Sequence, residues 1–139
     1  MFLIDTNVIS ELRRPEKADG NVIAWASTVE AASFFLSAIT IFEIELGTLL
    51  ISRRDATQGA ILRSWIDKQI LPRFDGRILP IDTAVAQRCA RLHAPDPHAE
   101  RDALIAATAL AHGLTVVTRN IADFKPLGVV LLNPWLPQH

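Results

Sequence analysis

Four acidic side chains stand where the surrounding sequence predicts apolar residues or the end of a buried strand. They are Asp5, Glu43, Asp102 and Asp123. Asp5 directly follows the apolar run Phe2–Ile4, which predicts a short strand buried on both faces. Thr6 and Asn7 then favour a helix start. Because open α/β sheets form their ligand crevices at the carboxyl ends of strands, Asp5 is predicted to lie in such a crevice.

The other three acids are unusual in their own segments. Glu43 follows Ile39 by four residues and precedes Leu46 by three, on the helix stripe predicted to face the core. Asp102 opens a helix that has no broad polar face, and Asp123 lies in a loop after another buried strand. Each also has a plain structural explanation. Glu43 could extend to solvent at the edge of the stripe or pair with an arginine, Asp102 could be a first-turn aspartate favoured by the helix dipole, and Asp123 could be a turn aspartate bonded to backbone.

Together these carboxylates predict a site for a hard divalent cation. Carboxylate oxygens suit Mg²⁺ or Mn²⁺, and without a cation four of them in one pocket would repel one another. Such an ion activates water and clamps the oxygens of a phosphodiester. The histidines lack zinc-site spacing, so we expect no zinc. Asp82 is interpreted as a helix N-cap and Cys89 as a core thiol.

Strands that alternate with helices predict how the acids are positioned. The predicted strands cover residues 2–4, 33–36, 77–81, 115–118 and 129–132. The predicted helices run from residue 6 or 7 to the 13–15 segment, then over 21–31, 38–53, 56–70, 83–92 and 100–111, with Pro72 ending the fourth and 119–124 forming a loop or single turn. This order predicts βαβ units and a mainly parallel sheet, hence an α/β fold, in one domain over residues 1–139.

Composition narrows the class of protein. The chain has 139 residues, 50% of them hydrophobic and 21% charged, which is typical of one globular domain. A net charge of −1 excludes a generally basic nucleic-acid coat protein. No basic region precedes the first apolar run, and no stretch reaches the roughly 20 apolar residues of a bilayer span. We therefore expect a cytoplasmic protein without a membrane partner.

Four segments in order resemble PIN-domain proteins, and more narrowly the VapC and FitB group of bacterial toxins. These are residues 3–7, residues 37–47 with Glu43 and Gly47, residues 102–109, and residues 118–124. The resemblance implies a three-layer α/β/α sandwich around a parallel sheet of about five strands. It also implies a Mg²⁺- or Mn²⁺-dependent endoribonuclease, the toxin of a type II toxin–antitoxin pair. The implied partners are RNA, a small DNA-binding antitoxin and a second copy of the chain.

Matched motif by motif, the resemblance assigns catalysis and metal binding to the four acids already named. Polar residues beside them would support the site: Thr6, Asn7, Thr118 and Asn120. Because the net charge is negative, phosphate contacts must come from local arginines. Arg119 is the preferred RNA contact, since its loop also carries Asp123.

Two alternatives stay open. One is a haloacid-dehalogenase-like phosphatase with Asp5 as nucleophile, although such a site requires a second aspartate where this chain has Asn7. The other is a PIN-like protein that binds a partner without catalysis, against which the complete set of acids argues.

Overall fold

A five-stranded parallel sheet forms the centre of the structure, a computed structural model that describes residues 1–138. The strands are Phe2–Ile4 (β1), Phe34–Ser37 (β2), Ile78–Leu79 (β3), Thr115–Val117 (β4) and Leu131–Leu132 (β5). Their order is β3-β2-β1-β4-β5, and every neighbouring pair is parallel. In the central strand, Phe2 stands opposite both Phe34 and Thr115. The carboxyl ends of all five strands therefore meet at one edge of the sheet.

Helices cover both faces of this sheet. They are Thr6–Glu11 (α1), Gly20–Ser27 (α2), Ala38–Arg54 (α3), Ala56–Trp65 (α4), Leu71–Arg73 (α5), Thr83–His93 (α6), Glu100–His112 (α7) and Ile121–Phe124 (α8). Short 3₁₀ turns lie at Pro15–Lys17, Ala31–Ser33 and Lys125–Leu127, and a π-helical turn at Ile66–Ile70 joins α4 to α5. Within residues 1–138, no helix combines the length and apolarity that crossing a bilayer requires.

Neighbouring residues of β1 contribute to two separate cores. Leu3 packs with Ile105 and Ala106 of α7, whereas Ile4 packs with Val8 of α1 on the opposite face. Alternation along a strand sends successive side chains to opposite faces, so both faces of β1 are covered. The predicted α/β class, the three layers and the five-stranded parallel sheet are confirmed.

Several predicted boundaries are wrong by a few residues. The helix predicted over 21–31 ends at Ser27, and Thr28 at its C-cap donates a hydrogen bond from its hydroxyl to the Trp25 carbonyl. Strands three and five are only two residues long. Pro72 does not end its helix: after the π-helical turn it stands in the first turn of α5, where proline needs no N–H donor.

The stripe predicted to face the core on α3, which consists of Ile39, Phe42, Leu46 and Leu50, is wrong in part. Ile39 packs against a buried cluster, but Phe42 and Leu50 are about half exposed, and the fully buried positions are Thr40, Ile44 and Thr48. The helix is rotated relative to the prediction, so that a threonine face meets the core. The sequence also predicts an inner face of α4 at Ile61, Leu62, Trp65 and Ile66, but Ile61 is 50% exposed.

Candidate functional site

Asp5 is the most constrained of the candidate site residues. It follows β1, caps α1, and is only 5% exposed. Its Oδ1 accepts a hydrogen bond from the Thr6 backbone N–H at 2.8 Å. Its Oδ2 accepts one from the Thr118 hydroxyl at 2.8 Å and one from Asn7 Nδ2 at 3.3 Å. The carboxylate is therefore held between the ends of β1 and β4.

Polar residues after β4 complete this network. The Thr118 hydroxyl accepts hydrogen bonds from the Asn120 backbone N–H at 3.0 Å and from Asn7 Nδ2 at 3.3 Å. The Asn7 side-chain oxygen accepts one from the Arg119 backbone N–H at 3.3 Å. All four residues proposed to support the acids thus lie in one hydrogen-bonded group with Asp5, to which Thr6 belongs through its backbone.

Glu43 reaches the site from the second turn of α3. That helix begins where β2 ends, with Ser37 accepting a capping hydrogen bond from the Ile39 N–H at 3.0 Å. The Thr6 hydroxyl donates a hydrogen bond to Glu43 Oε1 at 2.7 Å. Thr6, which directly follows Asp5 in the chain, therefore links the two candidate acids Asp5 and Glu43. The other glutamate oxygen, Oε2, lies 3.7 Å from Arg101 Nη1.

Asp102 lies in the first turn of α7, and Asp123 in the short α8. Burial raises the pKa of Asp102, and the charges of Asp123 and Glu43 raise it further. Asp123 is exposed and its charge acts on Asp102. It therefore occupies the margin of the group, next to Asp102.

Burial likewise raises the pKa of Asp5, against the opposing effect of its hydrogen bonds from Thr118 and Thr6. The charges of Glu43 and Asp102 contribute in the same upward direction as burial. Three acids from three separate segments therefore repel one another across a common space. In residues 1–138, however, no three His, Cys, Asp or Glu side chains are positioned as a group that could hold one ion.

The chemistry of these donors nevertheless fits a hard cation. Carboxylate oxygens are the preferred ligands of Mg²⁺ and Mn²⁺, and Mg²⁺ commonly uses only one or two of them with water completing its shell. A cation would also relieve the repulsion that raises the pKa of Asp5 and Asp102.

Arg119 lies at the carboxyl end of β4, where its guanidinium carbon is 5.0 Å from the ring centroid of Trp135. Arg101 was not identified from the sequence. It contacts Glu43 and also lies over Phe42, with its guanidinium carbon 4.9 Å from the ring centroid. Its position next to Asp102 was the only available signal, because its contacts are formed with a distant helix.

Two other acids, Asp82 and Glu45, have structural partners outside this group. Asp82 caps α6 by accepting a hydrogen bond from the Val85 N–H at 3.0 Å, which confirms the N-cap interpretation. Glu45 accepts two hydrogen bonds from Arg63, at 2.6 and 2.8 Å, which lower its pKa. Cys89 is buried against α7, as predicted for a core thiol.

The fold and these acids define an α/β protein with an acidic cluster at the carboxyl edge of a parallel sheet. The family model described as "PIN domain" matches residues 2–127. The chain therefore belongs to the PIN-domain family.

Among its relatives, Toxin FitB of Neisseria gonorrhoeae is 40% identical over 141 residues, covering 97% of this chain and 99% of the relative. VapC ribonuclease Y4jK of Sinorhizobium fredii is 36% identical over 142 residues, covering 99% of each. The solved structure of FitAB bound to an IR36 DNA fragment superposes with a TM-score of 0.89 at 38% identity, covering 100% of this chain and 99% of that chain. These similarities therefore extend along nearly the whole chain, including residues after the segment that the family model matches.

Proposed function

We propose that this protein is a Mg²⁺- or Mn²⁺-dependent endoribonuclease that acts as the toxin of a type II toxin–antitoxin pair. The observation that carries the proposal is the position of Asp5, a buried carboxylate at the end of the central strand whose pKa is raised by burial and by Glu43 and Asp102. The similarity to a chain named VapC ribonuclease supports the reaction class.

One or two of Asp5, Glu43 and Asp102 would ligate the metal, with water completing its shell, and Asp123 would contribute from the margin. When bound, the ion activates a water molecule and stabilises the charge of the phosphodiester under attack. Thr118 and Asn7 fix the orientation of the Asp5 carboxylate, and Thr6 fixes that of Glu43. Arg119, whose guanidinium is supported by Trp135, would contact the RNA backbone.

The activity is tested with fluorescent single-stranded RNA and purified protein in the presence of Mg²⁺, Mn²⁺ or EDTA. Asp5→Asn keeps the size of the side chain and is expected to lower cleavage at least about 100-fold, since a metal ligand contributes several kcal/mol to the transition state. Full activity of Asp5→Asn in a preparation free of other nucleases would overturn the mechanism. Hydrolysis of p-nitrophenyl phosphate without RNA cleavage would indicate the phosphatase alternative.

The partners follow from the relatives. We propose that the chain binds a small DNA-binding antitoxin, which the solved FitAB structure bound to a DNA fragment supports, and that it forms a homodimer. Exposed apolar side chains on α3 and α4, Leu49, Leu50 and Ile61, offer surface for association. Light scattering after gel filtration would measure the oligomeric state. Rescue of growth by coexpressing the adjacent reading frame would test the antitoxin, and a partner bound without RNA cleavage would favour the purely binding alternative.

A further inference from the structure

Arg101 is a cation at the acidic site that the proposed mechanism does not use. Its guanidinium lies 3.7 Å from Glu43 Oε2 and over the ring of Phe42, with the guanidinium carbon 4.9 Å from the ring centroid. Its side chain is 49% exposed, and Phe42 is also 49% exposed. The guanidinium therefore lies where solvent, the acids and an exposed aromatic ring meet.

The contact between Arg101 and Glu43 is loose. At 3.7 Å the two atoms are beyond hydrogen-bond distance, and an ion pair this exposed contributes little to stability. Arg63 offers a contrast, because it donates two hydrogen bonds to Glu45 and two to Asp67. Among the described residues, the guanidinium of Arg101 donates no comparable hydrogen bonds, so its N–H groups are available to bind a ligand.

We propose that Arg101 contacts a phosphate of the RNA backbone at the mouth of the acidic site, with Phe42 supporting the plane of its guanidinium. This inference rests on the proposed RNA substrate. Guanidinium groups bind phosphate through two parallel hydrogen bonds, and stacking on an aromatic ring leaves the N–H edge free for them. With a net charge of −1, the chain can attract RNA only through local cations such as this one.

Arg119 is a counterpart to Arg101. Arg101 lies in the first turn of α7 and contacts Glu43 of α3, the helix that follows β2, whereas Arg119 follows β4. Each arginine lies over an aromatic ring, Phe42 in one case and Trp135 in the other. An RNA backbone bound at the acids would therefore have guanidinium groups from two separate segments of the chain to contact.

When a phosphate binds Arg101, the guanidinium no longer contacts Glu43. In the structure described, Glu43 Oε2 faces this guanidinium while Oε1 accepts the hydrogen bond from Thr6. When Arg101 turns to RNA, Oε2 is freed to act as a metal ligand. Removal of the Arg101 charge should thus weaken RNA binding and leave metal binding unchanged or tighter.

The test measures RNA binding by fluorescence anisotropy in an Asp5→Asn background with Mg²⁺ present, across a series of KCl concentrations. Adding Arg101→Gln is expected to weaken binding about fivefold and to reduce the slope of log K against log [salt] by about 0.7, the value for one contact with a single strand. Adding Arg101→Lys should retain the slope while losing part of the affinity, because the charge remains without the planar fork.

Arg54→Gln is the matched control, since it removes the same charge about 16 Å further along α3 than Glu43. It should leave the salt slope unchanged; an equal loss would show a general effect of net charge and overturn the proposed contact. If neither Asp5→Asn nor the protein that also carries Arg101→Gln binds RNA, the proposed substrate is wrong, and this inference is wrong with it. If Asp5→Asn binds RNA and Arg101→Gln changes nothing, only this inference is overturned.

Metal binding gives a second readout that a purely structural role would not produce. Titration of the Arg101→Gln single variant with Mn²⁺, followed by the electron paramagnetic resonance signal of the free ion, should give affinity equal to or greater than that of the unmodified chain. Weaker Mn²⁺ binding would mean that Arg101 positions Glu43 for metal binding, and would contradict the proposal that Glu43 binds metal only after Arg101 leaves it.

Discussion

The Thr6 hydroxyl donates a 2.7 Å hydrogen bond to Glu43 Oε1, although 37 positions separate the two residues. Thr6 is also the residue whose backbone N–H binds Asp5. One residue at the start of α1 therefore orients the side chains of two candidate metal ligands, one of its own segment and one of α3. Hydrogen bonds of this kind normally tune ligand geometry around a metal.

We expect Thr6→Val to lower the affinity for Mg²⁺ or Mn²⁺ about tenfold, because Glu43 loses the donor that fixes its carboxylate. Thr6→Ser keeps the hydroxyl and should bind metal like the unmodified chain. Isothermal titration with Mn²⁺ would measure both variants. Equal affinity for Thr6→Val would show that the hydrogen bond does not position a ligand.

Local signals were sufficient for Asp5 and its strand. An apolar run, an acid and two small polar residues all lie within seven positions, so the strand end and the helix start could be predicted from neighbours alone. The capping residue is Asp5 itself, however, and Thr6 and Asn7, predicted as caps, lie in the first turn of α1. Local signals were also sufficient for Ser37 and Asp82, whose capping hydrogen bonds are formed within two or three residues. Gly113 follows α7 with a φ of 66°, the left-handed conformation that favours glycine at the end of a helix, so the sequence itself predicts where α7 stops.

Features that depend on tertiary packing were missed. Glu43 is an anomaly in the sequence because it interrupts a predicted apolar stripe, but Phe42 and Leu50 of that stripe are exposed and the helix buries threonines instead. Helical periodicity gives a stripe but cannot decide its rotation when several faces are partly apolar. The contacts of Arg101 involve Glu43 and Phe42 on another helix, so nothing in its own segment predicted them.

Gly59 allows α4 to approach α3 closely. A Cβ atom at this position would lie 2.0 Å from Ser52 Oγ and 2.7 Å from the Ser52 Cα, so the backbone itself obstructs it. We expect Gly59→Ala to destabilise the protein by about 2–3 kcal/mol through overpacking. Gly47→Ala is the control: a Cβ there meets open space, and removing a helix-interior glycine should stabilise by roughly 0.5–1 kcal/mol. Urea unfolding would measure both, and a neutral Gly59→Ala would contradict the close approach.

Thr40 is fully buried in α3, and its hydroxyl has no hydrogen-bond partner. An unsatisfied buried hydroxyl costs free energy, so Thr40→Val, which keeps the shape, should raise the free energy of unfolding by about 1 kcal/mol. Thr48 provides the comparison, since its hydroxyl donates to the Ile44 carbonyl at 2.8 Å. Thr48→Val loses that bond and should not stabilise. Chemical denaturation of the pair would decide, and destabilisation by Thr40→Val would show that its hydroxyl is satisfied in solution.

The raised pKa values of Asp5 and Asp102 predict an unusual dependence of stability on pH. Between the ordinary aspartate value of 3.8 and the raised value, the folded protein binds more protons than the unfolded chain. In that window the contribution of these two groups to the free energy of unfolding falls as pH rises, and above it their ionised forms impose the full cost. Lowering the pH from neutral through the raised values should therefore remove a destabilising contribution.

Other carboxylates act in the opposite direction, because Arg63 lowers the pKa of Glu45 and that stabilisation is lost in acid. The difference in free energy of unfolding between the unmodified chain and Asp5→Asn isolates the contribution of Asp5. In EDTA, Asp5→Asn should be the more stable protein at neutral pH, and the difference should shrink as the pH falls toward 3.8. Saturating Mg²⁺ should stabilise the unmodified chain most at neutral pH, where the carboxylates are ionised, and should have little effect on Asp5→Asn. A stability difference that stays constant with pH would show that Asp5 titrates as an ordinary surface aspartate, because a group with the same pKa in both states contributes no pH dependence to folding.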